Sequence, residues 1–191
     1  MKDIVVIGAG YGGLVASALL AKEGHNVTVI EKNGQPGGKA SLLKKDGFQF
    51  DMGPSWYMWP QAFEKFFEEF GENAADFLEL KQLDPSYRVF FDDGEIIDIS
   101  SDIEKNYEIF EKLEENGAEK LRKYLEVCKK QYDIAMDGFV YRTYNSIFDF
   151  FTPRMVANGL RLEAFSNYHT GVKKYFKNHK AQKLLEWITV F

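Results

Sequence analysis

The hydrophobic pattern of the first thirty residues predicts a strand, a helix and a second strand. Residues 3–7 form a short run of mainly β-branched apolar residues, typical of a strand buried on both faces of a parallel sheet. Residues 11–23 are rich in helix-forming residues, and Gly24 is suited to end a helix. Residues 26–31 (NVTVIE) repeat the strand pattern. We therefore expect a β-α-β unit with parallel strands and a right-handed crossover.

The next segments predict hairpins and one helix. Residues 92–94 (DDG) join two strand-like runs, which is a hairpin signature, and residues 45–47 (KDG) join another pair. Pro60 suits the first turn of a helix that runs to about Phe70, because four phenylalanines there are spaced for one face. The strands are expected over 40–44, 48–51, 78–83, 87–91 and 95–99.

From Ser101 onward the pattern is almost entirely helical. Ser101 and Glu104 have the spacing of a capping box. One later helix face is formed by Leu121, Leu125, Cys128, Tyr132 and Ala135. The position of Cys128 on this apolar stripe indicates a buried structural thiol rather than a nucleophile.

Residues 139–191 combine many aromatic and aliphatic residues with five lysines, and two interpretations stay open. The first is a helical subdomain with its own core and a solvated basic face. The second is a helical cap whose apolar side contacts membrane lipid, since basic amphipathic helices bind anionic bilayers. The lysines are Lys173, Lys174, Lys177, Lys180 and Lys183.

Composition and charge narrow the classes of function. The 191 residues suit one domain, or one domain and part of another. The net charge of −5 disfavours nucleic-acid binding. A single cysteine excludes an internal disulfide, and the three histidines lack ligand spacing for a metal. No apolar run reaches the roughly 18 residues of a spanning helix, and the first residues lack the features of a signal peptide, so we expect a cytoplasmic protein.

Three glycines between the first strand and the first helix carry the main chemical signal. Gly8, Gly10 and Gly13 form the pattern G-x-G-x-x-G, which permits a sharp turn, a close approach of a pyrophosphate, and tight packing of helix on strand. Glu31 at the end of the second strand is placed to accept hydrogen bonds from a ribose diol and to repel a 2′-phosphate. The pattern predicts a dinucleotide site for NAD or FAD, but not for NADP. The predicted site also includes Tyr11, Gly12 and Lys32.

A second set of glycines follows where a simple NAD dehydrogenase would begin another helix. Gly37 and Gly38 allow another close backbone approach, and Lys39 can face a phosphate or an electron-rich ring. Gly53 provides the same freedom in a third place. The motifs GAGYGG, VTVIEK, PGGKA and FDMGPSWY, with the later stretch LDPSYRVFF, resemble the phytoene desaturase family of bacterial-type carotenoid desaturases within the FAD-dependent amine oxidase superfamily.

The resemblance implies an α/β fold, in which a Rossmann-like FAD-binding β-α-β with an incomplete parallel sheet precedes a strand-plus-helix substrate or cap region. It implies that residues 1–75 belong to the FAD-binding domain and residues 76–191 to the substrate or cap region. The glycines of the first turn would hold the pyrophosphate, and Glu31 the adenosine ribose. The flavin half would lie near Gly38, Lys39, Asp51, Gly53 and Pro54.

The implied reaction is dehydrogenation of C–C bonds in a lipid-soluble polyene such as phytoene, with the flavin as hydride acceptor. The resemblance assigns no catalytic side chain and no metal. Members of the family are much longer than 191 residues, so we expect a partial sequence that does not turn over substrate alone. Two alternatives stay open. One is another flavin amine-oxidase-type enzyme, and the other is a non-catalytic dinucleotide-binding module.

Overall fold

The computed structural model describes residues 1–53, 56–161 and 167–190. Contacts within the chain divide it into two units, Met1–Lys81 and Gln82–Phe191. Each unit is described by itself below. The assignment of residues 1–75 and 76–191 to two functional regions stays a prediction.

The first unit begins with the predicted β-α-β arrangement. Strand β1 (Asp3–Ile7) leads through the glycine turn into helix α1 (Tyr11–Lys22), and strand β2 (Asn26–Ile30) returns parallel to β1. Gly24 has a φ of +83° and ends the helix as expected. The α/β fold class and its two-stranded parallel sheet are therefore confirmed.

A hairpin and a helix complete the first unit. Strands β3 (Leu42–Lys45) and β4 (Phe48–Asp51) pair antiparallel, and helix α2 (Pro60–Glu68) begins at the predicted proline. Phe63 of α2 packs edge-on against Tyr11 of α1, with the ring centroids 5.7 Å apart. The strand predicted over 78–83 is wrong, because these residues form no ladder with any described strand and run as irregular backbone.

One face of the parallel sheet is uncovered. Helix α1 packs on the face that carries Ile4 and Val6, which are partly shielded. On the opposite face Val5 is 58% exposed and Ile7 is 88% exposed, and no described element of this unit shields them. The expectation that β1 is buried on both faces is therefore wrong for this chain, because one helix can cover only one face of two strands.

The second unit combines a hairpin with helices. Strands β5 (Tyr87–Phe90) and β6 (Ile96–Ile99) are joined by the predicted turn, in which Gly94 has a φ of +86°. The helices are α3 (Ile103–Leu113), α4 (Gly117–Ala135), α5 (Pro153–Arg161), α6 (Tyr168–Lys173) and α7 (His179–Glu186). Short turns of π-helix at Met136–Val140 and of 3₁₀-helix at Ile147–Phe151 and Trp187–Val190 complete this unit.

This unit has a dense core between the hairpin and the helices. Phe110, Val172, Phe176 and Leu184 are almost completely buried. The rings of Phe110 and Phe176 meet edge-on, with their centroids 5.3 Å apart. The other buried members of the core are Ile97, Ile99, Leu121, Tyr124 and Ala181.

Two local predictions in this unit need correction. Helix α3 is capped by Asp102, whose carboxylate accepts from the N–H of Glu104, and not by Ser101 through a capping box. The helix starts one residue later than the pattern suggested, which moves Glu104 out of the position that a capping box requires. Cys128 is half-buried at the edge of the core rather than fully buried. Among the described residues, no helix is long and apolar enough to span a bilayer.

Candidate dinucleotide site

The glycine turn between β1 and α1 has the tight geometry that its sequence requires. Gly8 has a φ of +99°, and its N–H donates to the carbonyl of Ile30 over 2.7 Å. A Cβ atom on Gly13 would lie 2.0 Å from the carbonyl oxygen of Gly8, so only glycine permits this approach of α1 to the turn. The two glycines therefore fix the start of the helix directly against the end of β1.

The first turn of α1 presents backbone N–H groups without a side-chain cap. Gly10 is the N-cap, and it has no side chain that could accept from the first N–H groups of the helix. The first helical hydrogen bond runs from the N–H of Leu14 to the carbonyl of Gly10. The N–H groups of Tyr11, Gly12 and Gly13 precede this first helical bond. Such a terminus, with the positive end of the helix dipole, suits a phosphate group.

The second glycine pair is docked on the first. The N–H of Gly37 donates to the carbonyl of Ala9 over 2.7 Å, and Gly37 forms a parallel bridge with Gly10. Gly38 has a φ of +60°, and a Cβ atom on it would lie 3.1 Å from the Cα of Gly10. The loop and the turn thus meet backbone to backbone, and the approach of a ligand to this loop stays a prediction.

The third predicted glycine lies against the same loop. A Cβ atom on Gly53 would lie 1.9 Å from the carbonyl oxygen of Lys39, so the chain after β4 passes directly over the end of the loop. Asp51 is exposed at the end of β4, and the side chain of Lys39 is also exposed. Pro54, which was predicted to approach the flavin, lies outside the described residues.

Glu31 lies beside the turn, and its carboxylate is already hydrogen-bonded. Oε2 accepts from the N–H of Ala9 over 2.8 Å, and Oε1 accepts from the backbone N–H and the side-chain amide of Asn33 over 2.9 Å and 2.8 Å. The N–H of Ala9 contributes most to lowering the pKa of Glu31 below its usual value, and the backbone N–H of Asn33 adds to it. Glu31 is therefore held as an anion at the mouth of the turn. The neighbouring Lys32 is exposed.

Sequence reasoning missed two residues of this site, Asn33 and Ala9. Asn33 restrains Glu31 through two hydrogen bonds, and Ala9 binds both Glu31 and Gly37 through its backbone. A signal for Asn33 existed, because an amide two residues after an acid can turn back onto it. Ala9 acts only through its main chain, so its side-chain type carries no such signal.

An open cavity of about 650 Å³ lies between this loop and the β3–β4 hairpin. Its lining combines amide, hydroxyl and ammonium groups with apolar side chains and glycine backbone. The lining residues are Asn33, Gly34, Gln35, Gly38, Ser41, Leu42, Leu43, Lys44 and Met52.

The donor set fits an extended dinucleotide better than a compact ion. The first turn of α1 suits a phosphate, and the carboxylate of Glu31 suits a ribose. The glycines near both groups have no side chains that would block an extended ligand. Within the described parts of the chain, no group of three or more potential metal-ligating side chains occurs. His169, far along the sequence, contacts the carboxylate of Glu186.

Comparisons with known proteins agree with this geometry. A family profile described as an NAD(P)-binding Rossmann-like domain matches residues 6–70. The chain also aligns with solved structures of putrescine oxidase variants, with a TM-score of 0.51 and 16% identity over 97% of this chain and 36% of that one. This likeness shows a shared fold.

Relatives of known name match the chain over nearly its whole length. It is 40% identical over 191 residues to a carotenoid 3,4-desaturase of Haloarcula japonica, covering 100% of this chain and 39% of that protein. It is 36% identical over 188 residues to a 4,4′-diapophytoene desaturase of Staphylococcus haemolyticus, covering 98% of this chain and 38% of that protein. The chain thus spans about two fifths of the length of these relatives. The predicted resemblance is confirmed: this chain is similar from end to end to carotenoid desaturases and carries a Rossmann-like dinucleotide-binding fold.

Proposed function

We propose that this chain forms the cofactor-holding portion of an FAD-dependent desaturase that acts on a carotenoid precursor. The observation that carries the proposal is the docking of the Gly37–Gly38 loop on the glycine turn at Gly10. A second bare stretch of backbone beside the turn extends the site beyond a single nucleotide. The names of the relatives support this choice of substrate class.

Each predicted residue has a definite task in this proposal. The N–H groups of the first turn of α1 bind the pyrophosphate, while the glycines keep side chains out of its path. Glu31 accepts from the ribose and, as an anion, disfavours a 2′-phosphate. The pyrophosphate-binding residues are Gly8, Gly10, Tyr11, Gly12 and Gly13, with Lys32 beside the ribose-binding Glu31.

The flavin half is proposed to lie along the loop and the segment that follows β4. There, Gly38 and Gly53 let the backbone approach, and Lys39 supplies positive charge. Asp51 and Pro54 complete this half of the site. When bound, FAD supplies the capacity to accept a hydride equivalent from a C–C bond. The chain's own task is to bind and orient the cofactor, and we assign no catalytic residue.

The two alternatives, another flavin enzyme and a non-catalytic module, differ in whether the bound dinucleotide takes part in a reaction. Another flavin amine-oxidase-type enzyme would share every contact up to residue 40, and a non-catalytic module would bind the dinucleotide without chemistry. The uncovered face of β1 and β2 disfavours a self-contained module, because exposed apolar strands favour association. We further propose that the 191 residues alone do not turn over substrate.

The substrate class suggests where the protein works. A polyene dissolves in lipid and not in water, so we propose a cytoplasmic protein that makes peripheral contact with a membrane. The candidate surface lies in residues 139–191, the region rich in aromatic residues and lysines.

An absorbance experiment tests the cofactor. The purified chain is mixed with FAD, desalted, and examined for a retained flavin band. The matched variant is Glu31→Gln, which keeps the shape of the side chain and removes its charge. Retention by the wild type, with weaker retention by the variant, supports the proposal. If FAD is not retained but NAD is, the non-flavin module becomes the better description.

A further inference from the structure

An apolar surface projects from the second unit at a short 3₁₀-helix and the helix after it. Phe148 is 77% exposed, and Ile147, Phe151 and Leu160 are each about two-thirds exposed. Phe148 and Phe151 lie three residues apart, which places them on one ridge of a 3₁₀-helix. We call the set Ile147, Phe148, Phe151, Val156 and Leu160 the aromatic tip. Exposed apolar side chains in such a group mark interaction surfaces.

The backbone beneath the aromatic tip is held firmly. Ser146 and Asp149 form a reciprocal capping box that starts the 3₁₀-helix. The ring of Tyr144 stacks on that of Phe150, with centroids 4.5 Å apart and planes inclined by 8°. Met155 is buried and anchors helix α5 from the inside. These contacts present the tip outward instead of letting it fold against the unit.

The lysine-rich segment has a different role. The ammonium of Lys180 pairs with Asp93 and Glu95, and Lys183 lies 3.5 Å from the carboxylate of Glu186. Phe176 and Leu184, which lie on either side of these lysines in the sequence, belong to the core. The apolar residues of 172–184 therefore stabilise the unit, and they are not available for lipid.

Charge around the aromatic tip favours an anionic partner. Between positions 139 and 161 the sequence holds three arginines, Arg142, Arg154 and Arg161, and one acidic residue, Asp149. The carboxylate of Asp149 accepts from the N–H groups of Asn145 and Ser146, and is thereby engaged in the cap. This segment is net positive within a chain of net charge −5.

We propose that the aromatic tip inserts into the interfacial region of an anionic lipid bilayer. Exposed phenylalanines enter the apolar layer, and the net positive charge of the segment 139–161 favours the anionic lipid surface. The inference deepens the peripheral contact proposed above, and it names the surface that makes it. It does not depend on cofactor binding.

Vesicle flotation tests the aromatic tip. The 191-residue chain is floated with vesicles that contain phosphatidylglycerol, and separately with vesicles of phosphatidylcholine alone. The test variant is Phe148→Ser with Phe151→Ser. The matched control is Phe90→Ser with Ile96→Ser, a cross-strand pair of the same unit that is 69% and 53% exposed. Circular dichroism checks that all three proteins keep their helices.

The expected result is binding to the anionic vesicles, a loss of at least about tenfold in the test variant, and binding near the wild-type level in the control. Equal binding by all three proteins, or no binding by the wild type, overturns the proposal. Concentration-dependent self-association that only the test variant abolishes, without vesicle binding, would assign the tip to a second copy instead. Flavin retention, measured on the same samples, reports on the proposed function separately.

Discussion

The two units bury apolar residues to very different extents. In the second unit, Phe110, Phe176 and Leu184 are sealed between helices and hairpin. In the first unit the described buried apolar residues are two alanines, Ala9 and Ala74, while the strands expose valine and isoleucine. The unit with the most recognisable motif is therefore the one with the weaker core. A glycine-rich site specifies a ligand, but glycines contribute little apolar surface to a fold.

The contrast begins in the sequence itself. Both faces of β1 are apolar, a pattern that is typical of strands covered on both faces of a parallel sheet. The helices of the second unit instead alternate apolar and polar faces, so that one layer of packing suffices. The predictions below test this contrast, from the largest expected effect to the smallest.

Replacing Leu184 with alanine should destabilise the second unit strongly. Leu184 is fully buried, and the change leaves a cavity in the core, so the free energy of unfolding should fall by about 3–5 kcal/mol. Urea denaturation followed by circular dichroism measures it. The control, Ile7→Ala on the uncovered face of the sheet, should shift stability by no more than about 0.5 kcal/mol. A large effect of the control would show that something covers β1, and the contrast between the units would disappear.

Gly13→Ala should abolish flavin retention. The added Cβ would collide with the carbonyl oxygen of Gly8 at 2.0 Å, so α1 must move away from the turn. We expect FAD to bind at least about a hundredfold more weakly, or by about 2.7 kcal/mol. Fluorescence titration of FAD measures this.

Gly159→Ala on helix α5 is the matched control for that experiment. A Cβ at Gly159 meets no atom within 4 Å, and the residue lies outside the proposed site. This variant should retain flavin. If both variants bind FAD equally well, the close approach of helix and strand has no part in recognition.

Glu114 should make the second unit sensitive to acid. Burial opposes its ionisation, but the N–H groups of Asn178 and Lys177 and the ammonium of Lys120 outweigh burial and lower the pKa of this carboxyl. Because the folded pKa lies below the unfolded one, its stabilising contribution is complete above about pH 4.5 and is lost as the pH falls through the folded pKa.

The test is Glu114→Gln, with unfolding measured by urea between pH 7 and pH 3. At pH 7 the variant should lose about 1–2 kcal/mol, and its stability should fall less steeply on the acid side. Glu108→Gln on helix α3, which Glu114 caps at its C-terminal end, is the control, and it should follow the wild type. An unchanged acid slope in Glu114→Gln would assign the pH dependence to other carboxylates.

Asn33→Ala should weaken FAD binding by about fivefold to tenfold, or roughly 1 kcal/mol. The variant removes the side-chain donor to Glu31 and leaves the backbone donor in place, so the carboxylate becomes freer to turn. The same titration measures it, with Asn26→Ala at the far end of β2 as the control. Affinity equal to that of the wild type would mean that the backbone N–H groups of Ala9 and residue 33 orient Glu31 without the side-chain amide.

Local patterns predicted the elements that depend on short-range chemistry. The β-α-β unit, both hairpins and helix α2 follow from apolar periodicity, turn residues and the proline at position 60. The strand over 78–83 was wrong, since an apolar run becomes a strand only if another strand pairs with it. The exposure of one face of β1 could not be predicted from the local pattern either, because the elements that cover a sheet face are distant in the sequence.

The parts of the candidate site that depend on residue type, namely the glycines and Glu31, could be predicted from the sequence. Gly13 has no room for a Cβ atom, Gly8 has a φ of +99° that favours glycine, and Glu31 follows a strand that the pattern identifies. The hydrogen bonds of Ala9 were out of reach, because they belong to a main chain whose path is set by the whole turn. Whether each predicted residue contacts a cofactor stays a prediction.

The hydrogen bond from Gly37 to Ala9 has a kinetic consequence. A loop that folds only around its ligand slows association, because each encounter must await ordering. Here a hydrogen bond of the protein's own backbone joins the loop to the turn, so we expect the loop to order without a ligand and capture to proceed at a rate close to that of diffusive encounter. The amide proton of Gly37 reports this state directly, and slow hydrogen exchange at that single position in the ligand-free chain would mark a preassembled receptor.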